Sequence, residues 1–267
     1  MPNQRYENFV LSNRLTDQLE TRMNMLDFVT VNNDLTADAG MTIKINTYSA
    51  TGEAEKVAEG EGNTKSIEMS YTPKEYTVET TQARFVYTDE DEMTDPFLVD
   101  GGVRNLSVAI TNSVTNDVIA EFSKASLKVN YSGTPTFDNF VDALSMMAHP
   151  DNAAGSEDGP DAFALVNRKM KAKLQKALKD DLKYVEGYVR QGYIGHVAGV
   201  PIRVNDAAPD DKVIIATREA VTYYRKKSAT TEQDREKNTR TNILYGRLVG
   251  VAALTDEGKV VLLEPAG

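Results

Sequence analysis

Gly60-Glu61-Gly62-Asn63-Thr64-Lys65-Ser66 has the composition of a phosphate-binding loop. The spacing is wrong for that chemistry. A Walker loop places four residues between its first glycine and Gly-Lys, and a helix must follow to aim backbone amides at the phosphate. Neither is present, so this stretch reads as a loop tip. Asp89-Glu90-Asp91-Glu92 offers four adjacent carboxylates, but it lacks the glycine and the twelfth-position glutamate of a calcium loop. As the first turn of a helix, facing the positive end of the macrodipole, the four acids already make sense. His149 and His196 lie far apart, with no Gly-x-Ser-x-Gly elbow and no His-Glu-x-x-His pair. They read as loop or core histidines. Without cysteine there is no disulfide, thiolate nucleophile or Cys-ligated zinc. The residues point to no catalytic site, no cofactor and no metal.

Charge is the next informative property. The chain of 267 residues carries a net charge of −10, unevenly placed. Residues 1–100 hold 19 Asp+Glu against 8 Lys+Arg, a net of −11, while the rest hold 21 against 22, a net of +1. Solvated surface charge is the plain reading. The functional one is an acidic front half that meets the more basic back half of neighbouring copies. An acidic total argues against tight nucleic-acid binding. No run reaches the roughly 18–20 apolar residues that span a bilayer, and the amino terminus does not open into a signal peptide. The expectation is a soluble, cytoplasmically made protein without a membrane partner.

The elements are legible from periodicity. Leu11, Leu15, Leu19, Met23 and Leu26 predict an amphipathic helix within 6–28, whose narrow stripe wants a partner surface. From Met41 to Tyr87 the period changes to two, giving half-buried strands with Pro73 at an edge or bend. Between the first two lies an acidic, glycine-rich tip with Glu53, Glu55, Glu59 and Glu61. A hairpin this long is weak alone, and a neighbouring subunit is the simplest thing to order it. Val103, Leu106, Ile110, Val114, Val118 and Phe122 predict a helix over about 100–125, roughly 40 Å long, with Asp100 as its cap. Asn105, Asn112 and Asn116 fall off its stripe.

Thr136 to Met147 reads as a shorter helix with Phe137, Phe140, Val141 and Leu144 on one face. An acidic loop, 151–161, precedes a short apolar strand at Phe163 to Val166. Arg168 to Lys183 is a helix with seven basic residues, opposed by Asp180 and Asp181. A solvated face is its plain reading; contact with acidic surfaces of neighbours and contact with DNA are the alternatives. Tyr184, Tyr188, Tyr193, Tyr223, Tyr224 and Tyr245 suit core packing first and interface anchoring second. Strands follow at 200–204, 212–216, 242–251 and 259–263, with an amphipathic turn at 217–224. The elements interleave, so the expected class is α+β in one intertwined subunit.

One stretch carries a family likeness. Gly195, Gly199-Val200-Pro201, Thr217-Arg218-Glu219-Ala220 and Tyr245-Gly246-Arg247 stand, in this order, as they do in the carboxy-terminal half of tailed-bacteriophage major capsid proteins. With the arm, hairpin and strut helix before them, nearly the whole chain resembles that family. The resemblance implies a Hong Kong 97-like capsid subunit with an N-terminal arm (1–38), an extended loop hairpin with flanking strands (39–88) and a peripheral domain with a long spine helix (89–130). An axial domain (131–231) and C-terminal strands returning to the peripheral domain (232–267) complete it. It implies self-assembly into pentamers and hexamers of an icosahedral phage head, around packaged double-stranded DNA bound without sequence specificity. Leu11, Leu15, Leu19, Glu53, Glu55, Glu59 and Glu61 become the expected intersubunit contacts. A separate scaffolding protein, a portal and decoration proteins are the further partners implied, and the virion is the location. Lys56 and Lys65 lie in the loop that some members crosslink to Asn, but no particular Asn pairs with either. An encapsulin-type shell is the alternative within the fold, and a cytoplasmic enzyme the alternative outside it.

Overall fold

The structure is a computed structural model that describes residues 6–7, 15, 18, 24–36, 40–51, 56–57, 62, 64–66, 68–95, 97–147, 161–178 and 195–266. The described elements begin with β1 (Tyr6–Glu7), a 3-10 turn at Asn24–Phe28 and β2 (Thr30–Asn32). β3 (Thr42–Thr51) and β4 (Glu68–Thr77) are followed by β5 (Glu79–Thr88), α1 (Asp89–Thr94) and α2 (Leu98–Phe122). Next come β6 (Leu127–Tyr131), α3 (Phe137–Met146), β7 (Ala162–Val166) and α4 (Arg168–Ala177). β8 (His196–Val197), β9 (Val200–Val204), β10 (Val213–Thr217), β11 (Val221–Glu236), β12 (Thr241–Leu254) and β13 (Val260–Pro265) complete the set. None of the helices, among the described residues, is long and apolar enough to cross a membrane.

Two sheets share the work. The first has the order β1-β11-β12-β5, with β2 added parallel to β11. The second runs β6-β13-β10-β7-β9-β8. β3 and β4 pair with each other as a separate two-stranded ribbon.

The second sheet explains why its central strands read as unbroken apolar runs. Phe163 and Leu165 of β7, Ile214 and Ala216 of β10, and Val260 and Leu262 of β13 point into one core. Their neighbours Ala164 and Val166, Val213 and Ile215, and Val261 and Leu263 point into another. A strand covered on both faces has no polar side to alternate with. The first core is closed by α2 and the first sheet, the second by α3 and α4.

α2 is the strut that the spacing predicts. Val103, Leu106, Ile110, Val114, Val118 and Phe122 are all at most 3% exposed, facing β5 and β12. Asn105, Asn112 and Asn116 are exposed, as their phase requires. Gly102 lets the helix approach β5 closely, because a Cβ there would lie 2.3 Å from the Phe85 ring. That contact offsets the roughly 1 kcal/mol cost of glycine in a helix. The cap differs from expectation. Phe97 is the N-cap, its backbone amide donating to Asp95 Oδ1 at 2.9 Å, and Asp100 sits inside the first turn.

Other departures have physical causes. Tyr6–Glu7 is a strand because it pairs with Gln233 and Glu232 at the edge of β11, so no helix begins there. The predicted turn at 217–224 is shorter: Ala220 closes a turn onto Thr217, and Val221 already pairs with Leu254. The divisions expected at 130/131 and 231/232 do not follow the sheets. β6 and β13 pair with each other in the second sheet, and β11 belongs to the first from Val221 onward. The tight turn at 198–199 does follow the sequence. Ala198 and Gly199 both take positive φ, 50° and 82°, in a two-residue hairpin between β8 and β9.

Tyr223 gives this packing a pH signature. It is 3% exposed, and burial pushes its hydroxyl up to about 12 from an ordinary 10.0. The folded chain therefore holds this proton more tightly than the unfolded chain does. Its contribution is complete below about pH 10 and is lost as pH rises through about 12, roughly 2–3 kcal/mol in all. Denaturant titrations at pH 9 and 11.5 should show that loss, and Tyr223→Phe should flatten it. An equal slope in the two proteins would contradict the assignment.

Candidate assembly surfaces

Most of the groups that could do chemistry, among the described residues, are absorbed by the fold. Thr88 and Asp91 form a reciprocal cap on α1, each side chain accepting from the other's backbone amide at 3.1 Å. Hydrogen bonds to it from the Thr88 hydroxyl and the Thr88 backbone amide hold the Asp91 carboxyl below its ordinary range. Asp89 accepts from Arg235 at 2.6 Å and from Asn242 at 2.8 Å, and Glu90 pairs with Arg240 at 2.9 Å. The acidic run thus seals one end of the β11–β12 hairpin. Among the described residues no group of three or more His, Asp or Glu is placed to hold a metal ion. His196 is exposed on a two-residue strand, and His149 lies outside the described residues.

The basic helix also finds partners within the chain. Asn167 caps α4 by accepting from the Met170 amide at 2.7 Å, and its own amide donates to Asp210. Arg168 pairs with Asp206 at 3.0 Å, Lys169 with Asp210 at 2.5 Å and Lys173 with Asp211 at 2.8 Å. Three of the cations offered for neighbours or DNA are therefore matched by one acidic loop of the same chain. Exposed pairs of this kind are individually weak, but together they hold the loop over the N-terminus of α4. Tyr223 is core, Tyr224 and Tyr245 are half-buried, and Tyr184, Tyr188 and Tyr193 lie outside the described residues.

What remains open is surface. The β3–β4 ribbon is anchored at its base and open above it. Val78, 2% exposed, is the buried hinge after β4, and its amide donates to the Met41 carbonyl at 2.6 Å. Tyr76 Oη donates to the Leu254 carbonyl at 3.3 Å, and Lys74 pairs with Glu257. Hydrogen bonds from Lys74 and Ser126 hold the Glu257 carboxyl below its ordinary range. Further out, Tyr71 is 66% exposed, and Lys56 and Lys65 are exposed as well.

Of the residues expected to touch a neighbour, Leu15 does otherwise. It is fully buried in its own subunit, where its Cδ2 lies 3.2 Å from the position a Cβ on Gly246 would take. Its apolar side chain lies between its own β12 and α2, which removes it from the intersubunit contacts. Leu11, Leu19, Glu53, Glu55, Glu59 and Glu61 lie outside the described residues.

Two apolar surfaces stand where the sequence does not place them. Val86, Met93 and Phe97 stand out around α1, the last two 82% and 76% exposed. On α3 the helix turns Phe140 and Ala143 inward, leaving Phe137 and Val141 exposed rather than on the buried face. The available signal was the i, i+4 spacing of each pair within acidic surroundings. Finally, a groove of about 980 Å³ opens beside β7 and β9, with Phe28, Phe163 and Ile202 among its walls.

No family model matches the chain. The chain is 24% identical over 257 residues to the major capsid protein of Staphylococcus phage phiMR11, covering 94% of this chain and 90% of that one. Among solved structures it is similar to the capsid of a native GTA particle, with a TM-score of 0.74 at 11% identity over 92% of this chain and 90% of that one. A chain from Mycobacterium phage Che8 gives 0.64 at 14% identity, over 97% and 92%. The virus-like particle from Pyrococcus furiosus gives 0.65 at 16%, over 96% and 98%. Two packed sheets, a spine helix and an outlying ribbon thus make a Hong Kong 97-type fold, and along nearly its whole length the chain is similar to a phage major capsid protein.

Proposed function

We propose that this chain is a structural major capsid protein, which assembles with further copies of itself into the icosahedral shell of a phage head. The observation that carries the reading is the whole-length likeness to a phage major capsid protein. The architecture supports it: a ribbon whose described strands pair only with each other is marginal alone and gains from a neighbour's surface. In this reading the first sheet and α2 form the peripheral domain, and the second sheet with α3 and α4 the axial domain. The copies form pentamers and hexamers, and the shell encloses double-stranded DNA without reading its sequence. The role is structural rather than enzymatic, its place is the virion, and synthesis is in the host cytoplasm. Glu53, Glu55, Glu59 and Glu61 at the ribbon tip, with Leu11 and Leu19 of the arm, are the contacts we assign to neighbouring copies. A scaffolding protein, a portal and decoration proteins would act as separate chains.

The likeness to the Pyrococcus furiosus virus-like particle favours one second reading, an encapsulin-type shell around protein cargo. Electron microscopy of particles purified after expression separates the outcomes. Shells that mature into DNA-filled heads when the whole virus is produced support the head protein. Small shells filled with protein support the second reading, and a chain that stays monomeric at high concentration overturns both.

A further inference from the structure

We infer that α3 of one copy docks into the groove beside β7 and β9 of the next copy, a head-to-tail contact that closes the rings of the shell; this rests on the head-protein reading above. The ridge is built from spacing. Phe137 and Val141 are 47% and 44% exposed on α3, four residues apart and so on one face of the helix. Asp138 and Asp142 stand beside them, both exposed, and α3 carries no basic residue. An apolar ridge with acidic flanks asks for an apolar groove with cationic margins.

The same chain has a groove in which apolar walls stand among polar and charged side chains. Its volume is about 980 Å³, with Phe28, Phe163 and Ile202 among its walls. Lys171, Arg203 and Arg218 line it together with Asp27 and Asp161, an excess of one positive charge. Arg218 is committed, its Nε donating to the Asp27 carbonyl at 2.5 Å. Arg203 is exposed and Lys171 half-buried, so they are the cations placed to meet Asp138 and Asp142.

Position makes the pairing a ring. α3 packs on β6 and β13 at one side of the second sheet, whereas the groove flanks β7 and β9 toward the other. A ridge and a groove on different flanks of one unit favour a head-to-tail arrangement over a two-fold pair, in which both would have to lie on one shared patch. They give a heterologous contact, which closes into a ring or runs on as an open helix.

Charge reversal tests this with the full-length chain. The first variant combines Asp138→Asn with Asp142→Lys; position 138 is only neutralised because a cation in the first turn would oppose the helix dipole. The second combines Lys171→Glu with Arg203→Glu. Each is expected to melt within a few degrees of the parent as an isolated subunit, and to lower shell yield about tenfold or more by electron microscopy. All four substitutions in one chain should restore closed shells, because every contact is then complementary again.

Mixing the two variants gives the sharper result. Matched contacts then form only where the two alternate, so rings with an even number of subunits close and pentamers cannot. Hexameric rings, flat sheets or tubes should appear with few closed shells. Unchanged shell yield from both variants, while the parent forms shells, overturns the docking and leaves the head-protein reading intact. So does a correctly melting four-fold variant that stays unassembled. A parent that forms no shells overturns the head-protein reading itself. If either reversed chain melts low, Asp142→Asn and Arg203→Gln replace it, and a smaller fall in yield with each is the expected outcome; no fall counts against the contact.

Discussion

Ile110→Asp should leave the chain insoluble, whereas Asn112→Asp, two residues along the same helix, should leave it folded. Ile110 is fully buried at the centre of α2, and its Cδ1 lies 3.1 Å from where a Cβ on Gly246 would stand. The side chain is therefore pressed against the backbone of β12, with Leu15 on its flank. A carboxylate at this position finds no cation among those walls. Even after relaxation an unpaired buried charge costs several kcal/mol, against a typical domain stability of about 5–15 kcal/mol. Asn112 is exposed, so the same charge stays in water and should move stability by less than about 0.5 kcal/mol. Expression, sedimentation and far-ultraviolet circular dichroism of the two variants decide the matter. A soluble Ile110→Asp subunit with native dichroism would show that α2 buries a different face.

The phase of α2 was legible because its stripe is repeated six times and every repeat meets one continuous wall. The three apolar strands of the second sheet were legible for a related reason: both of their faces are dry. β11 was not. Its stretch from Arg225 to Glu236 contains one apolar residue, Ala229, and no clean alternation. The strand exists because β12 pairs with it along nearly its whole length, across two register shifts. Strand propensity is largely a property of the neighbours, and here the neighbour's Leu244 and Leu248 supply the buried side.

The same limit shaped the candidate surfaces. The Leu15 stripe and the Phe137 stripe look alike as patterns, since each is a run of apolar residues at spacings of three and four. In the fold they part: Leu15 is core, and Phe137 is surface. What separates them is the shape of the wall opposite, which Gly246 opens for Leu15. Charge pairing was hidden in the same way. Nothing near Arg168, Lys169 and Lys173 in sequence announces that residues 206–211 fold back over them.

Phe140→Ala should destabilise the subunit by about 3–5 kcal/mol, the cost of removing a buried aromatic side chain and leaving a cavity. Phe140 is fully buried in the second core, under the face of the second sheet that α3 and α4 cover. For a chain of this size 1 kcal/mol lowers the melting temperature by roughly 2–4 °C, so a fall of about 10 °C is expected. Phe137→Ala, one turn earlier, removes the same atoms from a side chain that is 47% exposed. It should shift the melting temperature by no more than a few degrees. The two variants therefore separate the faces of one helix: Phe140 acts on the subunit, and Phe137 on its association with the next copy. Calorimetry of the isolated subunit beside shell yields under assembly conditions reads both effects. Equal melting shifts for the two would mean that α3 is rotated from the orientation described here, and that its ridge belongs to the core.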